Sequence, residues 1–512
     1  MKNYLLEISD KLDFFSGSGK RSVVVLKPIS LDILAQRYGG VAINGAHLFH
    51  QVSTDTRTLA RGDLFVALEG DRFDAHDYLS QALDRGAKGL VVDQKYKQKL
   101  PAAAGHAVWM VSDTTVALGF ISHYQRQYFQ YPLIAITGSS GKTTVKGMLR
   151  EILSVSAGSD RVFATRGNYN NHIGVPLSLL QLNQSHRYAV IEMGASGPND
   201  IAYLTDIANP NVAVINNVMA SHVEGFGSID AIAKGKGEIY KQLGDQACAV
   251  INASDHYAKQ WLLQNRRRKV IAFSTSMKNI SIENIYCDVR AERAEKQKNG
   301  CYTFSLICGR QSTFVKLSVL GSHNIANAIA AAACAHALDV DVESIAEGLK
   351  NFEGEPGRLQ ISLGIGGAIL IDDTYNANPG SMKAAIDVLA SMPVKKILVM
   401  GDMAELGSRD IQEHEAIGRY VAEKNIDYFF SVGEFSQYAN AAVVANNTSV
   451  EVNHYSDCDD LSEYLRGWLN QRINQSMSSD YAILVKGSRS SKMERIIRAI
   501  QIEGENDASV AC

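Results

Sequence analysis

The sequence predicts a three-domain α/β protein: a small N-terminal α/β domain, a central parallel-sheet domain with a glycine-rich loop, and a C-terminal Rossmann-like α/β domain. Three observations predict it. The chain has 512 residues, about three domains at roughly 150 residues each. Short, wholly apolar runs alternate with helical stretches along most of it, the pattern of parallel strands buried on both faces. A Gly-Ser-Ser-Gly-Lys string stands directly after one of those runs. Composition agrees, with 46% hydrophobic and 21% charged residues, which excludes a disordered or fibrous chain.

Residues 1–27 read as an extension, because a Gly17-Ser-Gly19 break precedes Lys20-Arg21 and the longest apolar stretch, Val23 to Leu26, is too short for a signal-peptide core. From 28 to 131 the strand-like pieces Leu64–Leu68 and Gly89–Asp93 alternate with helical stretches such as Tyr78 to Arg85. The second domain is expected over 132–355, with buried strands at Leu133–Ile136, Ala189–Ile191, Val212–Ile215 and Ala247–Ile251. Alternation at Tyr302–Leu306 marks an antiparallel insertion, and the alanine-rich Ala326–Leu338 reads as a tightly packed helix. A third sheet is expected over 356–512, from Ala368–Ile371, Ile397–Met400, Tyr428–Val432 and Ala482–Val485. The spacings between these runs leave room for crossover helices, and Glu355-Pro-Gly357 is the expected hinge before them.

Charge and cysteine content narrow the function. With 51 Lys+Arg against 54 Asp+Glu the net charge is -3, which gives no bulk attraction for nucleic acid or anionic membrane. There is no apolar run long enough for a transmembrane helix. Seven scattered cysteines without a C-x-x-C pair indicate neither a zinc site nor a disulfide framework and suit a reducing cytoplasm.

The string Thr137-Gly-Ser-Ser-Gly-Lys-Thr-Thr144 is the strongest chemical signal. Backbone N–H groups of Gly138, Ser139, Ser140 and Gly141, with the following helix N-terminus, make an anion cradle. Lys142 balances phosphate charge, and the Thr143 hydroxyl suits Mg²⁺. The spacing is shorter than the usual G-x-x-x-x-G-K-[ST] pattern, and the bland alternative is a glycine turn before a helix. Glu192 ends a strand at the carboxyl edge, where open α/β sheets bind ligands; an exposed strand-end glutamate is the competing reading. His222 and Lys236 are individually weak, since a lone histidine is usually structural and a helix lysine usually solvated.

In their order and local context these residues resemble the ATP-dependent Mur ligases of peptidoglycan synthesis. The resemblance extends from about Ile29 to Ile500 and includes Glu192-Met-Gly194, His323-Asn324, Pro356-Gly-Arg358 and Asp372-Asp-Thr-Tyr-Asn-Ala-Asn-Pro379. Gly167-Asn-Tyr-Asn-Asn-His-Ile-Gly-Val-Pro176, His222-Val-Glu-Gly-Phe-Gly-Ser228, Lys234-Gly-Lys-Gly-Glu-Ile239, Tyr375–Met382, Met400–Gly407 and Val485-Lys-Gly-Ser-Arg-Ser490 are similar to the branch whose amine substrate is D-alanyl-D-alanine. Asn199-Asp200 stand where the family often has Gly-Glu, and residues 1–27 exceed the family length.

The resemblance implies a cytoplasmic, monomeric ligase that uses ATP and two Mg²⁺ ions. It would activate the UDP-N-acetylmuramoyl-tripeptide carboxylate as an acyl phosphate, which D-alanyl-D-alanine then attacks. It assigns catalysis to Lys142, Glu192, His222 and Lys236, and metal binding to Thr143, Glu192, His222 and Lys236, the last as a carbamate. Nucleotide contacts fall on residues 137–144 (Thr144 included), Asn324, Asn327, Arg358, Asp372 and Asn376. Substrate contacts fall on Ser53, Asp55, Arg57, Phe65, Arg72, Asp74, His76, Asn168, Asn170, Asn171 and His172, with Lys486, Ser488 and Arg489 facing the dipeptide. The competing functions are another Mur ligase adding a single amino acid, a folate-type polyglutamate synthetase, or an ATP-binding regulatory protein without acyl transfer. The last leaves His222 and Lys236 without a role. An amine of pKa about 7.7–8.0 is partly neutral near pH 7, so a mildly alkaline optimum is expected.

Overall fold

The computed structural model describes residues 26–70, 73–101, 105–220, 223–275, 281–282, 285–298, 300–446, 449–473 and 481–502. They divide into two compact units. The first takes in the chain up to Ala135, Asp160–Asn211 and Gln242–Gly244; the second takes in Ile136–Ser159, Val212–Lys241 and the chain from Asp245. The 1–27 extension lies almost wholly outside the described residues.

The first unit is built on a five-stranded sheet of β1 (Val41–Ile43), β2 (Val52–Ser53), β3 (Leu64–Val66), β4 (Gly89–Asp93) and β5 (Ala107–Val111). Its order is β1-β5-β4-β3-β2, antiparallel only at β1–β5. The three central strands are apolar because helices cover both faces: β3 and β5 are buried throughout, and β4 up to Asp93. Strand β6 (Leu133–Thr137) carries the chain out of this unit. The chain returns in β7 (Val162–Ala164) and β8 (Tyr188–Glu192), which pair in parallel.

Within this unit a buried arginine fixes two helix ends. Helix Thr114–Arg126 starts at Asp113, whose side chain accepts the Thr115 and Val116 N–H groups, an N-cap of the common kind. At its other end Arg126 is buried and faces the C-terminus of helix Asp200–Ala208. Its guanidinium donates to the carbonyls of Ala208 (2.8 Å), Asn209 (3.0 Å) and Phe129 (2.5 Å) and to Asn211 Oδ1 (3.1 Å). The last carbonyls of a helix have no partner within it and carry partial negative charge, so they accept the cation. Burial pushes Arg126 down to about 10.

In the second unit β9 (Val212–Ile215), β10 (Cys248–Asn252), β11 (Lys269–Ser274) and β12 (Val289–Lys296) run parallel. The sheet continues through β13 (Cys301–Cys308) and β14 (Gln311–Leu320) as an antiparallel meander. The alanine-rich segment is the helix His323–His336. A separate six-stranded sheet holds β15 (Gln360–Leu363), β16 (Ile369–Asp373), β17 (Lys395–Gly401), β18 (Tyr428–Val432), β19 (Glu451–Tyr455) and β20 (Tyr481–Lys486), in the order β15-β16-β20-β17-β18-β19. Only β15 is antiparallel to its neighbour. Two apolar clusters, one around Met382, Leu398 and Phe429 and one around Leu461, Ile483 and Ile497, flank this sheet. Helix Pro379–Ala390 opens with an Asn378–Ser381 capping box and proline in its first turn, as the Asn378-Pro379 pair in the sequence suggests.

Six of the seven cysteines lie among the described residues, all buried and unpaired as thiols. No described helix is long and apolar enough to cross a membrane. Replacing Arg126 by leucine would strand several buried oxygens. We expect a loss of about 2–4 kcal/mol, measured as a lower urea midpoint; an unchanged midpoint would show that the guanidinium is dispensable.

Candidate nucleotide and metal site

In the second unit the glycine loop lies between β6 and helix Lys142–Ala157, and asparagines brace it. Ser139 N–H donates to the Asn217 carbonyl (3.0 Å), and Ser140 N–H to Asn217 Oδ1 (2.9 Å). Asn216 and Asn217 return their amide N–H groups to the Ser140 carbonyl at 2.9 and 3.1 Å. Asn216 also donates to Asn327 Oδ1 (3.0 Å), Asn327 to Asn324 Oδ1 (2.8 Å), and Asn324 to the Leu320 carbonyl (2.7 Å). Ser139 Oγ donates to the Met219 carbonyl (3.0 Å).

Asn324 and Asn327, expected at the adenine, are joined to the brace of the loop. Asn216 and Asn217 were not foreseen; the sequence signal available was an Asn-Asn pair directly after a buried strand. Gly138 and Gly141 have φ of 154° and 76°. A Cβ on Gly141 would sit 2.3 Å from Asn327 Oδ1 and 2.6 Å from Asn216 Nδ2, so the brace requires glycine.

Lys142 Nζ donates to the Gly138 carbonyl (2.8 Å). Arg358 reaches the same helix start: its Nη2 donates to Thr143 Oγ1 (2.9 Å) and its guanidinium lies 4.3 Å from the Tyr375 ring centroid. Lys236, on helix Ile229–Lys241, is buried. Burial, and then the charge of Lys142, holds its amine well below the usual lysine range. His222 lies outside the described residues.

At the carboxyl end of β16 the expected contacts are occupied locally. Asp372 Oδ1 accepts from Thr374 N–H (3.0 Å) and Oγ1 (2.6 Å), and Asn376 Oδ1 accepts the Ala377 N–H (2.8 Å). Asp373, which was not singled out, forms a buried ion pair with Lys486 at 2.6 Å, and Lys486 donates to the Asn376 carbonyl (2.8 Å). Burial raises the Asp373 carboxyl, with Lys486 opposing. Lys486 is thus not a free cation for a dipeptide carboxylate, because a buried ammonium needs the Asp373 charge beside it. Ser488 is buried too, and of the three residues expected there Arg489 alone is partly exposed, in reach of Glu494 at 3.5 Å. The hinge docks here: Leu359 N–H donates to Asp373 Oδ1 (3.2 Å) and Tyr375 N–H to the Gly357 carbonyl (3.1 Å). Leu359 has φ of 52°.

In the first unit Glu192 is buried at the end of β8 and accepts from Asn170 Nδ2 at 2.9 Å. Asn171 accepts the Ile173 and Gly174 N–H groups, His172 lies 3.2 Å from Asp200, and the Asn168 carbonyl accepts the Asn170 N–H (2.7 Å). Asp200 also takes the Ser196 and Gly197 N–H groups, so this departure from the family pattern anchors a loop. Asp55 pairs with Arg57 at 2.9 Å beside Ser53. Asp74 takes His76 Nδ1 (2.6 Å), while His76 Nε2 accepts the Asp93 N–H (3.1 Å). Both imidazole nitrogens are used within the fold, and Phe65 is packed in the core with Leu79 and Leu90. Neither residue offers a free surface to a substrate. Arg72 lies outside the described residues.

Among the described residues no three His, Cys, Asp or Glu side chains gather as a metal cage. Of the four residues expected at Mg²⁺, Thr143 and Glu192 offer a hydroxyl and a carboxylate, hard oxygens of the kind it takes when nucleotide and water supply the rest; Lys236 would offer oxygens only as a carbamate, and His222 lies outside the described residues.

Three family models match the chain: the Mur ligase family catalytic domain over residues 48–125, the Mur ligase middle domain over 136–335, and the Mur ligase glutamate ligase domain over 357–489. The UDP-N-acetylmuramoyl-tripeptide–D-alanyl-D-alanine ligase of Escherichia coli is 39% identical over 453 residues, covering 88% of this chain and 94% of that protein. The chain belongs to the Mur ligase family. A crystal structure of MurF from Acinetobacter baumannii is similar to this Mur ligase with a TM-score of 0.81 and 35% identity, over 93% of this chain and 99% of that one. The MurF ligase of Thermotoga maritima in complex with ADP has a TM-score of 0.73 and 27% identity, over 88% and 96% of the two chains. The likeness extends to all three α/β domains of the Mur ligase architecture. Replacing Gly141 by alanine in this Mur ligase should weaken ADP binding about tenfold or more, since each 1.4 kcal/mol lost is tenfold. A fluorescent-ADP titration reads it, and wild-type affinity would refute the steric argument.

Proposed function

We infer that this Mur ligase uses ATP to join D-alanyl-D-alanine to UDP-N-acetylmuramoyl-tripeptide, in the synthesis of the peptidoglycan precursor. The observation that carries the reading is the asparagine-braced phosphate loop in a chain 39% identical to a ligase of that name. The T. maritima relative, in complex with ADP, supports nucleotide use.

A carboxylate does not react with an amine, because its carbon is poorly electrophilic and its oxygen a poor leaving group. Transfer of the ATP γ-phosphoryl group to the tripeptide carboxylate makes an acyl phosphate and releases ADP. The dipeptide amine attacks that carbonyl, and the tetrahedral adduct collapses to the amide with loss of inorganic phosphate. Phosphoryl transfer asks for positioning and charge neutralisation. The N-terminus of helix Lys142–Ala157 and the Lys142 ammonium would answer the phosphate charge, since the Ser139 and Ser140 N–H groups already donate to Asn217. Mg²⁺ would supply further neutralisation, held by Thr143 and Glu192, with His222 and Lys236 for a second ion. Arg358 would leave Thr143 for the nucleotide phosphates.

Lys236 serves a cation only after losing its own positive charge. Burial, and then the charge of Lys142, holds its pKa well below the usual lysine range, which favours the neutral amine; a neutral amine adds CO₂ and releases a proton to give a carbamate, an anion with two oxygen donors. Among the described residues no carboxylate forms an ion pair with it. We place the domain boundaries near 131 and 355, the N-terminal domain as the UDP-binding module, and the working enzyme as a cytoplasmic monomer.

The deciding experiment follows phosphate release from ATP with UDP-N-acetylmuramoyl-tripeptide, with and without D-alanyl-D-alanine, beside D-alanine alone. Release should require the dipeptide, yield the pentapeptide nucleotide and rise from about pH 6 toward the amine pKa of about 8. Release with D-alanine instead moves the protein within its family; ATP binding without turnover ends the ligase reading. Removing CO₂ from the same assay should slow turnover and added bicarbonate restore it; indifference to both would count against the carbamate.

A further inference from the structure

Glu192 is held from its own strand and from the loop 167–174. Its N–H donates to Thr165 Oγ1 (3.0 Å), and Thr165 N–H donates to the Val190 carbonyl (2.9 Å). The loop then closes over the strand end. The Asn170 carbonyl accepts the Gly194 N–H (2.7 Å), and Asn170 Nδ2 donates to Glu192 Oε1 (2.9 Å). A carboxylate oxygen accepts only, so the side of the Asn170 amide that faces it is the NH₂ group. A Cβ on Gly194 would come within 3.0 Å of Asn170 Oδ1, so the glycine keeps room for that amide. The neighbouring Asn171 caps helix Gly174–Leu179 through the Ile173 and Gly174 N–H groups, which fixes the backbone from which Asn170 projects.

The choice of an amide has a chemical meaning. A lysine or arginine at 170 would grip Glu192 more strongly, but its charge would compete with any cation the carboxylate serves. An amide fixes the carboxylate rotamer and leaves the full negative charge. We propose that Asn170 is a positioning residue for Glu192, orienting its carboxylate toward Mg²⁺, rather than a contact of the muramyl-peptide substrate. This rests on the reading of Glu192 as a metal ligand.

The test uses the full chain with ADP and Mn²⁺ as the probe, free Mn²⁺ being counted by its electron paramagnetic resonance signal. Asn170→Leu keeps the size and removes the donor. Partners behind a metal ligand typically set affinity about 10–100-fold, so Mn²⁺ should bind about tenfold more weakly or worse. The dissociation constant for UDP-N-acetylmuramoyl-tripeptide, measured without nucleotide, should match the wild type. In turnover the apparent KM for Mg²⁺ should rise, and excess Mg²⁺ should recover the rate. Wild-type Mn²⁺ affinity overturns the proposal, whether or not UDP-substrate binding weakens. If Asn170→Leu fails to melt cooperatively, Asn170→Ser, too short to reach Oε1, gives the same readout with the same two outcomes. Glu192→Ala separates the premise from the inference: wild-type Mn²⁺ affinity in that variant removes Glu192 as a ligand and takes both down, whereas lost binding leaves the Asn170 variants to decide.

Discussion

The nucleotide centre depends on a row of neutral amides. An anion cradle of backbone N–H groups works only if its loop keeps its shape when empty, and Gly138–Gly141 has almost no side-chain bulk to do this. Asn216 and Asn217 supply the shape from the end of β9, and Asn327 and Asn324 carry the support back to the Leu320 carbonyl. Asn217, Asn324 and Asn327 each donate and accept, and Asn216 donates to both Ser140 and Asn327, so the row continues without adding charge. Carboxylates there would repel phosphate, and ammonium groups would hold it too firmly for release.

The same economy explains which residues were legible in the sequence. Strands buried along most of their length announce themselves as apolar runs, so β4, β6, β9, β16, β17, β18 and β20 are apparent without coordinates. Edge strands do not: β19 has the mixed sequence Glu-Val-Asn-His-Tyr, with no residue fully buried, and β15 is short and half-exposed. The phosphate loop is visible because glycine, lysine and threonine at that spacing have few other uses. Residues that act by supporting others are not visible, since asparagine is also the commonest turn and cap residue. Asn324 and Asn327 stood out through resemblance; Asn216, which bonds to Asn327, and Asn217, which bonds to the loop, did not.

Charged residues conceal their partners for a related reason. Lys486 stands at the end of a buried strand, where an open sheet would present it to a ligand. What sequence could not show was Asp373 opposite it on the neighbouring strand, in register at the Asp373–Lys486 pair. His76 resembled a binding histidine in the same way, yet Asp74 and the Asp93 N–H use both its nitrogens. Adjacent strands bring the first pair together from more than a hundred residues apart, whereas in the second case a short helical turn at 75–78 meets a strand end within twenty residues.

The left-handed backbone at Leu359 has a consequence for how the 355–359 segment can move. A branched side chain there is disfavoured by about 1–2 kcal/mol, and nothing in a leucine offsets it. The conformation is kept by bonds at its flanks, from Leu359 N–H to Asp373 and from Tyr375 N–H to the Gly357 carbonyl. A segment held in this way does not flex in proportion to load. Any movement of the segment away from this conformation must first break those bonds, and breaking them lets Leu359 leave the disfavoured region.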